Sequence, residues 1–282
     1  MKRLFQVIGF VSLICLSFFV TEKTVSVVRE YDEIMIAIKE KKQSYEIAAQ
    51  DATIKGNTII PGKKGKTIDE NKSYSKMKQY GSYNANLLEY KEVTPKISLH
   101  QNYDHYVIQG NASSPKVTLL FLIKGETSIS EIVKILEEKQ IQANFFIDSI
   151  WLEENNDTML ELIQNGYVIG NLSEESAYDN GNFAWMNTII TKVGKQKQGY
   201  CYSERDNDKA LKLCAAAKNY TIRPNIILKD HITTTVKEQV SNGSILSMVP
   251  TSKNLEELAV MIQTVKNRGF EFVTLRDLLS EE

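Results

Sequence analysis

The 282-residue sequence has few of the side chains that bind metals tightly and almost no excess of charge. It contains three histidines and three cysteines, and its 34 basic and 35 acidic residues give a formal net charge of -1. Proteins that bind nucleic acid carry a basic footprint, so this charge balance excludes nucleic acid as a predicted partner. The hydrophobic content of 42% is ordinary for a globular protein with one sizeable core and an extra subdomain.

The three cysteines form no metal-binding or redox pattern. Cys15 lies inside an apolar N-terminal stretch, where we expect a membrane-embedded thiol. Cys201 and Cys214 have two interpretations: they form a disulfide outside the cell, or they are two free, partly buried thiols. The second interpretation is favoured.

The N-terminus differs from the rest of the chain. Lys2 and Arg3 precede an uncharged apolar stretch from Leu4 to Val20, which is close to the roughly 20 residues that span a bilayer. A small-x-small cleavage pattern is absent, so a retained signal anchor over residues 1–22 is favoured over a cleaved signal peptide. The basic flank predicts a single-pass protein of the cell membrane with a cytoplasmic N-terminus and an extracellular main domain.

Three further regions follow the predicted anchor. Residues 23–50 have apolar side chains at helical spacing, which predicts a juxtamembrane helical stalk. Residues 51–113 are interpreted as a small β-rich decorating subdomain. It has a hairpin of 58–60 with 67–68 around the glycine-rich turn 61–65, a helix over 73–80 and extended segments at 93–99 and 106–109.

Residues 114–282 alternate apolar segments with amphipathic ones, which predicts βαβ units and a parallel sheet in an α/β fold. The predicted strands are 117–123, 143–148, 167–170, 222–228, 244–249 and 271–274, and the predicted helices are 128–139, 157–165, 205–218 and 253–267. The first strand is apolar on both faces, as expected where helices cover one face and a core fills the other.

Four segments of this region resemble the polysaccharide deacetylase family, also called the NodB homology domain, over roughly residues 114–279. They are 117–125, 143–147, 166–171 and 268–275. The resemblance implies a distorted (β/α) barrel and removal of acetyl groups from chitin, peptidoglycan or xylan. It also implies a divalent metal held by one aspartate and two histidines, with a second aspartate as the base. Imidazole and carboxylate groups suit such an ion, which activates water and polarises the amide carbonyl.

The family's functional residues fall on apolar or small residues in this sequence. The paired aspartates fall on Leu122 and Ile123, with Lys124 inserted before Gly125, and the two histidines fall on Leu172 and Ser176. The late histidine motif falls on Met248-Val249-Pro250, without its histidine at Val249, and only Tyr202 survives from the arginine-x-proline-tyrosine motif. The family's zinc site is therefore predicted to be lost, with no cofactor and no catalytic residue left at these positions.

Polar residues remain where the resemblance places the ends of the strands, and they are candidates for a relict cleft. They are Lys124, Asp148, Asn171, Ser173, Glu174, Tyr202, Asp230 and His231. Trp151, Trp185 or Tyr202 can serve as an aromatic platform for a sugar, or the tryptophans are core or loop packing. His100 and His105 flank Asp104, an arrangement that occurs at metal sites but more often in solvated loops.

These features leave three functional hypotheses. The favoured one is a metal-free pseudoenzyme at the cell envelope that binds an acetylated cell-wall polysaccharide or an envelope protein. The second is a divergent hydrolase of amide or ester bonds in such a polysaccharide, working from Asp230, His231 and Glu174. The third is an interaction module in which Leu122, Ile123 and Leu172 plug the mouth of the barrel.

Overall fold

The computed structural model describes residues 29–172 and 180–282. In chain order the elements are α1 (Glu33–Lys41), β1 (Thr53–Lys55), β2 (Thr58–Ile60), β3 (Gly65–Ile68), α2 (Glu70–Lys78), β4 (Tyr90–Val93), β5 (Tyr106–Val107), β6 (Lys116–Ile123), α3 (Ser130–Glu138), β7 (Asn144–Ile147), α4 (Ser149–Glu154), α5 (Asn156–Gln164), β8 (Val168–Asn171), α6 (Asn180–Thr188), β9 (Tyr200–Tyr202), α7 (Asp208–Ala216), β10 (Tyr220–Ile222), β11 (Ile226–Leu228), α8 (Ile232–Gln239), β12 (Ile245–Met248), α9 (Ser252–Asn267), β13 (Glu271–Phe272) and α10 (Leu275–Leu278).

The chain divides into two compact units, and the smaller one comprises residues up to 49 together with 64–94. In its described part, the antiparallel pair β3–β4 and the helices α1 and α2 supply the secondary structure. Its core consists of Ile34, Ile38, Ile68, Met77 and Leu88. Both helices begin at an aspartate cap, because the Asp32 and Asp69 carboxylates accept hydrogen bonds from backbone N–H groups of the first turn.

The predicted regions 23–50 and 51–113 do not coincide with this unit. The unit takes in α1 from the predicted stalk and residues 64–94 from the predicted subdomain. The predicted hairpin of 58–60 with 67–68 is wrong, because β2 pairs with β1 and β3 pairs with β4. The glycine-rich segment 61–65 is a connection between the units rather than a turn between partners.

The larger unit comprises residues 50–63 and 95–282, and it is built on an eleven-stranded sheet. The strands lie in the order β1-β2-β5-β10-β9-β8-β7-β6-β12-β11, and β13 also pairs with β6. Among the described strands of this sheet, β1 and β2 pair in antiparallel fashion and the other pairs are parallel. The prediction of an α/β fold with a parallel sheet is confirmed.

The two faces of this sheet bury different cores. Along β6, Phe121 and Ile123 belong to the cluster that includes helix residues such as Ile132 and Met261. Leu120 and Leu122 alternate with them and belong to the opposite cluster. That second cluster joins one face of strands from β2 to β12, so the sheet curls around it.

The expected barrel is an open, curled one. In the described residues, β1 and β11 lie at opposite edges of the sheet and do not pair. The predicted strands occur at or near their expected positions, although most are shorter by one to a few residues. The sequence pattern missed α4, α6, α8, α10 and β9, and it merged β10 and β11 into one region. α4, α10 and β9 are too short to show a period, and α6 has almost no apolar face.

Cys201 and Cys214 form a disulfide, so the favoured prediction of two free thiols is wrong. Cys201 lies in β9 and Cys214 in α7, and both are fully buried with Phe183 and Ala210. The bridge ties the strand to the helix that follows it. Cys15 lies outside the described residues.

The predicted membrane localisation is corrected. Over residues 29–172 and 180–282, no helix has the length and apolarity needed to cross a bilayer. The predicted anchor over residues 1–22 lies outside the described residues, so no described element supports a single-pass protein with an extracellular main domain.

Candidate functional site

The carboxyl ends of β6, β7 and β8 lie side by side, because Ile123 pairs with Ile147 and Ile147 pairs with Asn171. Active sites of α/β barrels lie at this end of the strands. The curled sheet therefore brings the residues that follow these strands to one place. Leu122 and Leu172, predicted from separate segments, both belong to the cluster on its inner face.

Four side chains close this end of the inner core, and we call them the mouth: Leu122, Phe146, Leu172 and Tyr202. The exposed fractions are 7% for Leu122, 4% for Leu172 and 6% for Tyr202, and Phe146 is fully buried. The Phe146 and Tyr202 rings meet edge to face, with their centroids 5.7 Å apart. The described mouth is therefore an apolar plug.

Gly170 leaves room for the Phe146 ring to lie against β8. A Cβ atom at position 170 would lie 2.3 Å from the ring, closer than a side chain tolerates. Phe146 is not among the predicted site residues, although it lies in one of the family-like segments. Phe146 and Gly170 are 24 residues apart and meet only through the pairing of β7 with β8, so the sequence carries no local signal for this contact.

Leu122 and Ile123, which the resemblance matched to the family's two aspartates, face opposite sides of the sheet. Leu122 lies in the inner core, whereas Ile123 is fully buried under the helices. Neither hydrocarbon side chain can accept a proton or coordinate a metal. Ser176, matched to one of the histidines, lies outside the described residues together with Ser173 and Glu174.

Asp148 follows β7 at the same edge, but its carboxylate is occupied by backbone groups. It caps α4 by accepting a hydrogen bond from the Trp151 N–H at 2.8 Å, and its two oxygens accept the Gly125 N–H at 3.2 and 3.0 Å. Gly125 has a φ of 52°, a conformation that favours glycine. Asp148 thus fixes the turn that contains Lys124, which is a structural role.

Two hydroxyl groups meet within the inner core, close to the mouth. The Tyr202 Oη and Ser247 Oγ atoms lie 3.4 Å apart, and Ser247 is fully buried. Burial raises the pKa of the Tyr202 phenol, so it stays protonated at neutral pH. Asn171, the last residue of β8, is 2% exposed. Tyr202, which the resemblance matched to the family's tyrosine, is therefore part of the packed interior.

Asp230 and His231 lie in the connection between β11 and α8, and both are exposed. The Lys253 ammonium is 2.7 Å from an Asp230 carboxylate oxygen, and this contact lowers the pKa of Asp230. The carboxylate is consequently ionised at neutral pH and already paired. His231 has a left-handed backbone conformation, with φ 49° and ψ 48°, and marks the start of α8.

The remaining histidines and the tryptophans are engaged elsewhere. His100 Nδ1 lies 2.8 Å from the Tyr220 hydroxyl, and His105 Nδ1 lies 2.9 Å from Asp104. Trp151 is buried under the helices and donates through Nε1 to the Thr127 carbonyl at 3.0 Å. Trp185 is half-buried and packs against the same core. The tryptophans are thus packing residues.

The side chains at the mouth do not fit the zinc that the resemblance implies. Among the described residues, no group of three histidine, cysteine, aspartate or glutamate side chains lies close enough to hold a metal ion. The positions matched to the metal ligands and the base that the structure describes carry hydrocarbon side chains: Leu122 and Leu172 belong to the inner core, and Ile123 belongs to the core under the helices. No step through a metal follows from this arrangement.

A buried polar network, missed from the sequence, fastens the C-terminal segment to the sheet. The Asn144 side-chain nitrogen donates to Thr118 Oγ1 and to the Leu119 carbonyl, and its oxygen accepts the Leu275 N–H at 2.7 Å. Thr118 in turn donates to the Val273 carbonyl. An asparagine inside an apolar strand was the available signal, and its role here is structural.

Comparison with known proteins agrees with this geometry. The sequence matches no family model. It is 26% identical over 281 residues to the uncharacterized protein YlxY of Bacillus subtilis, covering 92% of this chain and 87% of that protein. The wild-type pseudoenzyme BA3943 of carbohydrate esterase family 4 (CE4), from Bacillus anthracis, is 24% identical with a TM-score of 0.65. The match covers 89% of this chain and 96% of that one.

A carbohydrate esterase of the same family, PdaA of Bacillus subtilis, is 19% identical with a TM-score of 0.55, over 65% of this chain and 88% of that one. The chain has the polysaccharide deacetylase fold. The resemblance predicted from the four segments is thereby confirmed.

Proposed function

We propose that this protein is a pseudoenzyme with the polysaccharide deacetylase fold, which acts by binding and does not deacetylate. The observation that carries the proposal is the burial of Leu122 and Leu172 in a closed apolar mouth. Deacetylation by the family's mechanism needs a metal, a base and space for the acetyl group at this place. The described mouth offers none of the three.

The energetics of the mouth support this proposal. Ordered water or an ion entering between Leu122, Phe146 and Leu172 would meet hydrocarbon instead of hydrogen-bonding partners. Opening the mouth for a substrate would expose these side chains, at a cost of roughly 25 cal/mol per Å² of apolar surface. A substrate therefore has neither ligands to reach nor an open path to them.

The relatives also support the proposal, because two kinds of protein with this fold have been solved. The B. anthracis protein BA3943 is described as a CE4 pseudoenzyme, and a mutant of it as having restored enzymatic activity. Other solved structures are a peptidoglycan N-acetylglucosamine deacetylase and a chitin deacetylase. The fold is thus compatible with an active deacetylase or with a pseudoenzyme, and the residues at the mouth of this chain favour the pseudoenzyme.

Acetate release from acetylated chitooligosaccharides and peptidoglycan, measured with the full chain in the presence of zinc, tests the proposal. We expect no release above a blank, while an active deacetylase run in parallel hydrolyses the same substrates. Release that depends on the protein and is abolished by His231→Ala would overturn the proposal and favour the divergent hydrolase.

A second candidate function is glycan binding outside the closed mouth. It is favoured by a band of polar and charged side chains that follow β9, β11 and β12, which we call the rim: Glu204, Lys229, Asp230, His231 and Lys253. Lys229 lies 3.4 Å from Glu204 and Lys253 lies 2.7 Å from Asp230, and all five residues are exposed. Carboxylate, ammonium and imidazole groups can form hydrogen bonds with sugar hydroxyls.

A pull-down on acetylated peptidoglycan tests this second candidate. We expect wild-type protein to be retained and the double variant Asp230→Ala/His231→Ala to be released. Lys237→Ala, at an exposed residue of α8 outside the rim, is the matched control and should leave retention unchanged. Equal retention of the wild type and the double variant would show that the rim does not bind the glycan.

A further inference from the structure

An open groove of about 680 Å³ lies on the helix-covered side of the larger unit, on the opposite face of the sheet from the mouth. Its lining residues come from α3 and the residues just before it on one side, and from α4 and α5 on the other. The second wall runs from Glu154, the last residue of α4, to Asn165, which follows α5. Its longer part is α5, whose 9 residues span roughly 14 Å at about 1.5 Å per residue.

The floor of the groove is apolar. Trp151 and Leu162 are buried beneath it and Val133 is half-buried beside them, and all three belong to or pack against the helix-side core. An occupant with apolar side chains would thus extend an existing core. This floor distinguishes the groove from a solvated surface depression.

The walls carry charge of almost one sign. Glu126, Glu137, Glu154 and Glu161 line the groove, against the single cation Lys134. All five side chains are exposed, and none of the four carboxylates forms an ion pair with another described residue. The groove therefore has an unsatisfied negative charge of about three units around an apolar floor.

We infer that this groove docks a basic amphipathic helix of a partner protein. Glu154 ends α4 and Glu161 lies in the second turn of α5, on the same wall of the groove, and Asn155, with φ -127° and ψ 35°, separates the two helices. A helix lying alongside presents lysine or arginine residues to both carboxylates from one of its faces, where residues three, four or seven positions apart lie next to each other. Its leucine-type side chains at i, i+3, i+4 and i+7 meet the floor.

Charge complementarity favours this occupant over an acidic or purely apolar one, because a helix without cations would leave the carboxylates partly desolvated. The inference rests on the proposed function, since it names a partner for a protein that acts by binding. It uses none of the mouth or rim residues.

The test is the affinity of the full chain for a fluorescein-labelled amphipathic peptide of about 14 residues, four helical turns, with leucines on one face and lysines seven residues apart. The same peptide with every lysine replaced by glutamate is the control ligand. Fluorescence anisotropy gives Kd, and we expect saturable binding of the basic peptide that weakens as salt is raised.

Three double variants make the test specific. Glu154→Lys/Glu161→Lys reverses the charge of the wall formed by α4 and α5 and should weaken binding at least about tenfold, and Glu154→Gln/Glu161→Gln should have an intermediate affinity. Glu238→Lys/Glu256→Lys makes the same change of net charge at exposed positions of α8 and α9 and should leave Kd unchanged. Circular dichroism confirms that each variant is folded.

Equal affinity of the basic peptide for wild type and for both lysine double variants would overturn the inference. So would equal binding of the acidic peptide, or the absence of saturable binding. These outcomes are separate from failure of the proposed function, which would appear as acetate release and would leave the peptide Kd values as they are.

Discussion

The mouth and the rim lie at the same end of one sheet, yet they differ in almost every physical property. At the ends of β6 and β8, Leu122 and Leu172 are buried in an apolar plug, whereas after β11 the residues Asp230 and His231 are exposed beside Lys253. The contrast shows that one end of a single sheet combines strand ends that belong to the hydrophobic core with strand ends that are solvated.

The largest effect on stability is expected from Leu122→Asp, which tests whether the mouth excludes charge and the rim region does not. A carboxylate without a partner in the mouth should lower the free energy of unfolding by roughly 4 kcal/mol. The matched control is Val249→Asp, because Val249 is another degenerate position but is 49% exposed, and it should cost less than about 0.5 kcal/mol. Urea titrations of the two variants measure the difference, and equal stabilities would show that the mouth is wet.

The next largest effect on stability is expected from the disulfide beside Tyr202. The Cys201–Cys214 bridge closes a short loop between β9 and α7, so Cys201→Ala/Cys214→Ala should lower stability by about 3 kcal/mol. Unfolding with and without a reducing agent checks this: the reductant should destabilise the wild type and leave the double variant unchanged. A wild type that is insensitive to reductant even when unfolded would contradict the bridge.

A smaller effect on stability is expected at Asp148. Its substitution tests whether this carboxylate has a structural or a functional role. Asp148→Ala removes the cap of α4 and the acceptor for the Gly125 N–H, and should cost about 1–2 kcal/mol. Asp148→Asn keeps one acceptor oxygen, so it should lower stability by less than Asp148→Ala does. Thermal unfolding ranks the three proteins, and an Asp148→Ala variant as stable as the wild type would free this carboxylate for another role.

The smallest effect is expected at the rim. Asp230→Ala removes an exposed ion pair with Lys253, and exposed pairs contribute little to stability, so the unfolding curve should match that of the wild type. Because the Lys253 contact lowers the pKa of Asp230, any stabilisation by the ionised carboxylate is present at neutral pH and is lost as the pH falls through that lowered pKa. A marked loss of stability at neutral pH would show that the rim is part of the fold.

Local sequence predicted the sheet better than it predicted the mouth. Residues 117–123 are apolar at every position, which is typical of a parallel strand buried on both faces, and β6 has these properties. The plug depends on Phe146, Leu172 and Tyr202 meeting from three other strands or their ends, and nothing in their neighbouring residues encodes that meeting. The Cys201–Cys214 pairing likewise depends on where α7 returns to β9.

Some of the structural roles were within reach of the sequence. Asp148 directly precedes a short helix, a typical cap position, and was nevertheless interpreted as a cleft residue because it follows a strand. Asp230 and His231 were also predicted from their place after a strand, and Lys253, which pairs with Asp230, comes from a helix 23 residues away. Strand ends locate candidates, but partners from other elements decide what each side chain does.

Zinc content is the most direct measurement of the central claim that the mouth is closed and cannot hold the family's metal. The full chain, purified without chelators and dialysed against a zinc-containing buffer and then a zinc-free one, is analysed by inductively coupled plasma mass spectrometry. The closed mouth predicts zinc far below one ion per chain, equal in wild type and in Leu172→Ala. One tightly held ion per chain would contradict the account.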